Sequence, residues 1–370
     1  MNDTYGAAIL GAGWVSTQHV KAYMNNPHTR VVAICSLKEE SAKKLANMYD
    51  LKDVKIYADY DRMLEDPNVD IVSICTPQHL HGEQVVKAAE AKKHIFIEKP
   101  VGIDLEQLQA MLNAVKKNNV RTVTGVVARW NPIVQTIKNL LANDFFGKIY
   151  YVEANYQSNI SSWWSGWDWA RKKDTGVSSF LVAGVHAIDL ARWFAETESE
   201  KAGRIIEVTS YSGGYRKDEQ LPPFEFDMLR YTGKSGKDTI AAPMEYDGLE
   251  VALVKFDNGV LGKVSVNFDS VLPYRFPIRI FGDRGSVFDN RVWLPGIAGE
   301  SQWRELKAIS PDSSDVSHHP FQAEIDHFVE CLQQGVESHC NLEDAIKTHE
   351  VVFAALRCYR THRLVKLPLS

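Results

Sequence analysis

The sequence predicts two domains: an α/β domain on a parallel sheet covered by helices on both faces (residues 1–126), then an α+β domain with an antiparallel sheet (residues 127–370). Three observations predict this. The chain has 370 residues, too long for one ordinary core. Up to residue 126, short apolar runs alternate with amphipathic helical patterns, the order that builds a parallel sheet. Beyond it, strand-like runs follow one another across turn residues, the pattern of antiparallel hairpins.

Composition excludes several classes. Hydrophobic residues make up 45% and charged residues 24%, as in ordinary globular proteins. The net charge of -5 is mild and no basic block occurs, so nucleic acid is not an expected partner. The chain enters a strand almost at once and holds no apolar run of bilayer length, so neither secretion nor membrane insertion is expected. Cys35, Cys75, Cys331, Cys340 and Cys358 form no C-x-x-C pair, which suits small buried thiols in a reducing cytoplasm. No metal-ligand spacing is present, and no repeat.

In the first domain, Tyr5 to Leu10, Arg30 to Cys35, Val69 to Cys75, His94 to Ile97 and Arg121 to Val126 read as strands. Val15 to Asn25, Lys38 to Met48, Asp59 to Glu65, Gln78 to Ala91 and Leu105 to Asn118 read as the helices between them. Gly11-Ala12-Gly13-Trp14-Val15-Ser16 closes the first strand and opens the first helix. A lone G-x-G is weak, but strand before and helix after supply the context of a dinucleotide turn. The first glycine permits the turn, the second admits a pyrophosphate, and a small Ser16 lets the helix pack. Helix-start N–H groups at Trp14 and Val15 would hold the phosphates.

An acidic residue normally meets the ribose hydroxyls at position 36. Here Ser36 precedes Lys38, a pair better suited to a 2′-phosphate than to a bare diol, so the expected cofactor is NAD or NADP with the preference open. Thr76 and Pro77 end the Val69 strand and would pass the cofactor. His79 or His81 would line the crevice or serve the turn.

His94-Ile95-Phe96-Ile97-Glu98-Lys99-Pro100 organises the rest. In an open α/β sheet, ligands bind beyond the carboxyl ends of the strands, which is where Lys99 falls. Pro100 cannot continue the ladder and restricts Lys99.

Gly11-x-Gly13, Thr76-Pro77 followed by His81, and above all Glu98-Lys99-Pro100 resemble the glucose–fructose oxidoreductase/inositol dehydrogenase (Gfo/Idh/MocA) family nearly end to end. The resemblance implies an α/β Rossmann domain plus an α+β domain with a large, mostly antiparallel sheet. It also implies hydride transfer between NAD(P) and a secondary alcohol of a sugar, cyclitol or derivative. By the same resemblance Lys99 contacts substrate and cofactor, and Glu98 lies at the cofactor.

After residue 126, Val127 to Pro132, including Arg129, leads into a helix reaching Leu141, followed by an alternating strand from Ile149 to Tyr156. The tract Ser161 to Arg171 is dense in tryptophan. Trp163, Trp167 and Trp169 are candidates to stack on a sugar ring, with packing between domains or subunits as the equal alternative. Thr175 to Phe194 reads as loop then helix, with Val182, His186, Asp189 and Trp193 on one face.

The resemblance puts the family's catalytic histidine on His186. It also exposes a departure, because Val182 stands where family dehydrogenases commonly carry Asp. Further strands at Arg204 to Ser210, Gly248 to Phe256, Val260 to Asn267, Arg275 to Phe281 and Gly285 to Asp289 describe a meander, with Asn258-Gly259 as a hairpin turn. Residues 211–240 read as a long connection. Two helices close the chain, Pro320 to Gln334 and Leu342 to Thr361, and are expected to pack near the first domain; His319 before the first is a candidate to reach the substrate.

The expected chemistry is removal of a hydroxyl proton by Lys99 while hydride leaves carbon, with the lysine pKa lowered by desolvation and by a cationic nicotinamide. His186 would bind the same hydroxyl or relay its proton, and Glu98 would orient the lysine. Ser178, Ser179, Asp168, Arg129, His79, His81, His318 and His319 are unranked candidates to replace the missing carboxylate's hydrogen bond, and Arg129 is also a candidate substrate contact. The expected assembly is a homodimer or homotetramer. Two alternatives come from other classes: a glycosidase that retains NAD for transient oxidation and elimination, and a non-catalytic dinucleotide or sugar sensor.

Overall fold

Strand β1 (Tyr5–Leu10) is buried from Gly6 to Leu10 and sits inside a parallel sheet, as a continuous apolar run requires. The computed structural model describes residues 4–158, 168–196, 203–214, 244–270, 272, 274–296, 302–307 and 319–369. After β1 come α1 (Trp14–Asn25), β2 (Thr29–Cys35), α2 (Glu39–Met48), β3 (Lys55–Tyr57), α3 (Tyr60–Leu64) and β4 (Ile71–Ile74). A 3-10 turn then leads into α4 (His81–Glu90), β5 (His94–Ile97), α5 (Leu105–Asn118) and β6 (Thr122–Thr124). The strand order is β3-β2-β1-β4-β5-β6, all parallel, which is the Rossmann order. Leu10 is level with Cys35 and Ile74, and Ile74 with Ile97, so Gly11, Ser36, Cys75 and Glu98 follow at one rim. The short edge strand β3 carries too few residues to show in the sequence pattern.

The next elements are α6 (Pro132–Ala142), β7 (Ile149–Gln157), α7 (Asp168–Arg171), a π-helical turn (Phe180–Gly184), α8 (Val185–Ala195), β8 (Ile205–Gly213), β9 (Leu249–Phe256) and β10 (Leu261–Asn267). They are followed by β11 (Ile278–Gly282), β12 (Ser286–Phe288), β13 (Arg291–Trp293), β14 (Arg304–Glu305), α9 (Phe321–Gln334), α10 (Leu342–Thr361) and β15 (Val365–Lys366).

The second sheet runs β14-β13-β12-β11-β7-β10-β9-β8-β15. Among the described residues its only parallel pair is β7 with β10; every other pairing is antiparallel. The expected meander is therefore interrupted. The β9–β10 hairpin forms around Gly259 at φ +87°, but β7 enters between β10 and β11, its inward Val152, Ala154 and Tyr156 all buried. Strand β8 continues to Gly213, which takes residues 211–213 out of the expected connection; most of the remainder lies outside the described residues. Every residue of α8 is buried, as in a helix covered on all sides.

Two compact units result: residues 1–127 with 312–346, and residues 128–311 with 347–370. The first unit thus takes in α9 as well as the residues up to the expected boundary at 126. That helix packs on α1, with Trp14 edge-on to Phe321 at 6.2 Å and Asn26 donating to Asp326 at 2.7 Å. Helix α10 begins in the first unit and continues into the second.

Candidate active site

In the first unit, the rim of the parallel sheet carries most of the expected residues. Gly11 has φ +101°, and a Cβ there would stand 2.7 Å from the Cys75 carbonyl oxygen. A Cβ on Gly13 would meet nothing within 4 Å, so the backbone is open to a close-lying group. Gly13 caps α1 without a side-chain hydrogen bond, and the helix's first turn, where Trp14 and Val15 are half-buried, holds no acidic residue. Ser16 Oγ donates to the Gly11 carbonyl at 3.0 Å and closes the turn. An anionic pyrophosphate fits this arrangement: glycine backbone, open space and a helix start without competing charge.

Ser36 is half-buried one residue past β2, its N–H held by the Tyr57 carbonyl at 3.0 Å. Lys38 is exposed at the start of α2, followed by Glu39 and Glu40. Thr76 and Pro77 are half-buried on the same rim, and the Thr76 hydroxyl donates to Gln84.

His81, expected at the cofactor, is instead an internal brace. It is 1% exposed, with Nδ1 2.9 Å from the Pro100 carbonyl oxygen and Nε2 2.9 Å from that of Thr76. Two carbonyls ask for two N–H donors, yet desolvation lowers the imidazole pKa, so a neutral ring satisfies one of them at a time.

Glu98 is likewise turned inward, because both of its oxygens find donors inside the fold. Oε1 lies 2.9 Å from His19 Nε2 and Oε2 accepts the Lys99 N–H at 3.1 Å. Lys99 is half-buried beyond β5. Desolvation lowers its pKa, and the charge of Glu98 works in the opposite direction. His319 is half-buried, its ring edge-on to Phe321 at 5.8 Å.

The second unit carries His186, 1% exposed on α8 and enclosed by rings. Tyr156 is stacked at 6.4 Å with an 8° interplanar angle, and Phe276 is edge-on at 5.6 Å. Tyr274 packs on both Tyr156 and Phe276. Val182 is 5% exposed within the π-helical turn, so it and His186 do not belong to one unbroken α-helix. Glu250 on β9 accepts the Phe180 N–H at that turn, and burial pushes its carboxyl up to about 7 against the hydrogen bonds it receives from Phe180 and Ser178.

Arg129, expected as a substrate contact, is engaged inside the second unit. It is 2% exposed, and its guanidinium forms a two-pronged pair with Asp189, Nε to Oδ2 at 2.6 Å. Trp169 is half-buried, its carbonyl accepting from Thr175 Oγ at 2.6 Å; Trp163 and Trp167 lie outside the described residues.

Sequence reasoning missed His19, Tyr156, Tyr274, Phe276 and Glu250. The inward parity of Tyr156 with Val152 and Ala154 was available as a signal, as was a histidine on the buried side of α1. Nothing local distinguishes Glu250 from any other strand glutamate. Among the described residues, no group of three or more His, Cys, Asp or Glu is placed to hold a metal ion, and no helix is long and apolar enough to cross a membrane. All five cysteines are free and buried.

The six-stranded parallel order and the glycine turn define a dinucleotide-binding domain of Rossmann type. Residues 5–126 match the oxidoreductase family with NAD-binding Rossmann fold (GFO_IDH_MocA), and residues 134–288 match the GFO/IDH/MocA C-terminal domain. The chain belongs to the Gfo/Idh/MocA family and is an NAD(P)-dependent oxidoreductase. It is 27% identical to scyllo-inositol 2-dehydrogenase (NAD(+)) of Bacillus subtilis (strain 168), covering 100% of this chain and 98% of that protein. Identity to myo-inositol 2-dehydrogenase of Thermotoga maritima is 26%, over 77% and 75% of the two chains. The fold is that of levoglucosan dehydrogenase in complex with NADH and levoglucosan, with a TM-score of 0.83, 20% identity, and 99% and 100% of the two chains covered.

Proposed function

We propose that this protein is a dehydrogenase that moves hydride between NAD or NADP and a secondary alcohol of a sugar, cyclitol or sugar derivative. The observation that carries the reading is Lys99, a desolvated amine on the same sheet rim as the open Gly13 backbone. When bound, the nicotinamide supplies or accepts the hydride.

The chain's own residues handle binding and the proton. The Gly11 to Ser16 turn receives the pyrophosphate. Thr76 and Pro77 border the cofactor, with Ser36 and Lys38 near its ribose. Lys99 takes the proton from the substrate hydroxyl during oxidation and returns it during reduction. His186 is the candidate second group at that hydroxyl, and Trp169 and His319 are candidates to touch the remainder of the substrate. The named relatives act on inositols and levoglucosan, which supports the polyhydroxylated class.

Val182 in place of a carboxylate keeps a second reading open, the glycosidase that oxidises transiently. Incubating the protein with NAD or NADP and a panel of sugars, cyclitols and glycosides separates the two. Reduced-nicotinamide absorbance growing with oxidised product supports the dehydrogenase; free sugar released from glycosides without net reduction supports the glycosidase. Dinucleotide binding without either product leaves the sensor.

The reading includes assembly as a homodimer or homotetramer. Tyr211, Leu253 and Leu261 lie on one face of the second sheet at 74%, 59% and 55% exposure, a patch that association would cover. Sedimentation at micromolar protein should give an oligomer that Leu253→Glu weakens. A monomeric parent protein rejects the assembly.

A further inference from the structure

His19 lies fully buried on α1 and links two strand ends. Its Nδ1 is 2.6 Å from Ser73 Oγ on β4, and its Nε2 is 2.9 Å from Glu98 Oε1 just beyond β5. The second carboxylate oxygen accepts the Lys99 N–H. The carboxylate rests against Gly125, where a Cβ would stand 2.9 Å from Oε2 and 3.0 Å from Oε1, so the backbone is shaped around it. Phe96 at 4.6 Å and Phe321 at 5.9 Å enclose the imidazole.

An apolar side chain of similar size would suit those rings, and a buried ion pair gives little net stability over such a replacement. Its effect on the neighbouring residue is larger. An unbalanced charge on Glu98 favours the protonated Lys99 amine, the form that cannot accept a proton.

The geometry points to His19 as a positioning residue for proton transfer: as an imidazolium it holds and neutralises Glu98, so that this carboxylate does not lock the adjacent lysine in its protonated form. The inference rests on Lys99 being the proton acceptor proposed above. A neutral ring would donate to Glu98 and accept from the Ser73 hydroxyl; an imidazolium donates to both. The carboxylate at 2.9 Å favours the imidazolium. Desolvation lowers the His19 pKa, while Cys75 and Glu98 together raise it by more, to about 10. The other ionisable groups facing this cluster are Tyr23 on α1, whose phenol burial pushes upward, and the fully buried Glu324 on α9.

The test is competitive acylation of lysines over a pH series, with the Lys99 peptide read by mass spectrometry in protein without added dinucleotide. His19→Gln keeps a donor to Glu98 and removes the charge. It should raise the Lys99 labelling midpoint by about one pH unit, and the acid limb of kcat/KM should move with it while dinucleotide affinity is kept. Adding Glu98→Gln should return the midpoint, because both charges are then gone. An unmoved midpoint in His19→Gln overturns the inference.

If His19→Gln does not fold, nitrogen NMR of the unaltered protein decides at about pH 8, well above the ordinary histidine pKa. A doubly protonated His19 ring beside Phe96 supports the assignment, and a neutral one overturns it. Turnover retained by Lys99→Ala would sink the catalytic reading while the labelling result still stands.

Discussion

His19 and His186 are both buried, at 0% and 1% exposure, yet they meet opposite surroundings. The first sits between a serine and a carboxylate; the second is stacked on Tyr156 and edge-on to Phe276. The same side chain therefore does two kinds of work. In the first unit the protein supplies the countercharge itself and fixes a charge state. In the second, rings fix the imidazole's orientation, and residue 182 contributes no carboxylate to set its charge. Burial alone says nothing about a histidine's role; its immediate partners do.

The largest expected effect tests the first unit. Lys99→Ala should lower turnover by about 10³-fold or more while leaving dinucleotide affinity nearly intact, because the phosphates are assigned to the Gly11 to Ser16 turn. Substantial residual activity would remove Lys99 from catalysis. In the unaltered protein, desolvation lowers the lysine pKa, so the proton-accepting neutral form fills at lower pH than in an exposed lysine. Oxidation should accordingly rise with pH along a limb centred below 10.5.

His186→Ala tests the second unit and should cost about 10²-fold in kcat, the scale of a positioned acid or base. Restoring a carboxylate with Val182→Asp should alter substrate preference or the pH profile. If His186→Ala is kinetically silent with every accepted substrate, the two histidines differ in packing alone.

A smaller effect separates the units by cofactor. Ser36→Asp should shift preference toward NAD by about tenfold, through repulsion of a 2′-phosphate and a new acceptor for the ribose diol. Unchanged relative kcat/KM values for the two cofactors would remove Ser36 from that role.

A further effect concerns stability in the second unit. Glu250 titrates at about 7 in the fold against 4.5 ordinarily. Between those values the folded state keeps a proton that the unfolded chain has lost, so stability falls as pH rises through the window and levels off above it. Glu250→Gln should remove a fall in stability on the order of 3 kcal/mol across the window, measured by denaturant titration on either side of it. An identical slope in both proteins would show that Glu250 ionises normally.

Most of the parallel sheet was legible because each strand is a short apolar run closed by turn residues, and the glycine turn and Lys99 lie where those runs end. Partners across the sheet were not. His81, Glu98 and Arg129 read as ligand contacts because each is polar and near a motif, whereas the fold satisfies them with the Thr76 and Pro100 carbonyls, His19 and Asp189. Contacts between residues far apart in sequence leave no local periodicity. The π-helical turn before α8 escaped for a related reason: the apolar run from Phe180 to Val185 suits either helix, and Glu250, seventy positions beyond the Phe180 N–H it accepts, is distant in sequence.

The placement of α9 sets a timetable for biosynthesis. A ribosome releases residues 1–127 long before residues 321–334 exist, yet those later residues bring Phe321 against Trp14 and His19, and Phe328 against Phe96. The dinucleotide half of the molecule is thus begun first and completed almost last, with strands β7 to β14 of the second sheet synthesised in the interval. A gene fragment ending at Val127 would encode a nascent intermediate with those rings uncovered, so excising this half for study requires splicing residues 319–346 back onto it.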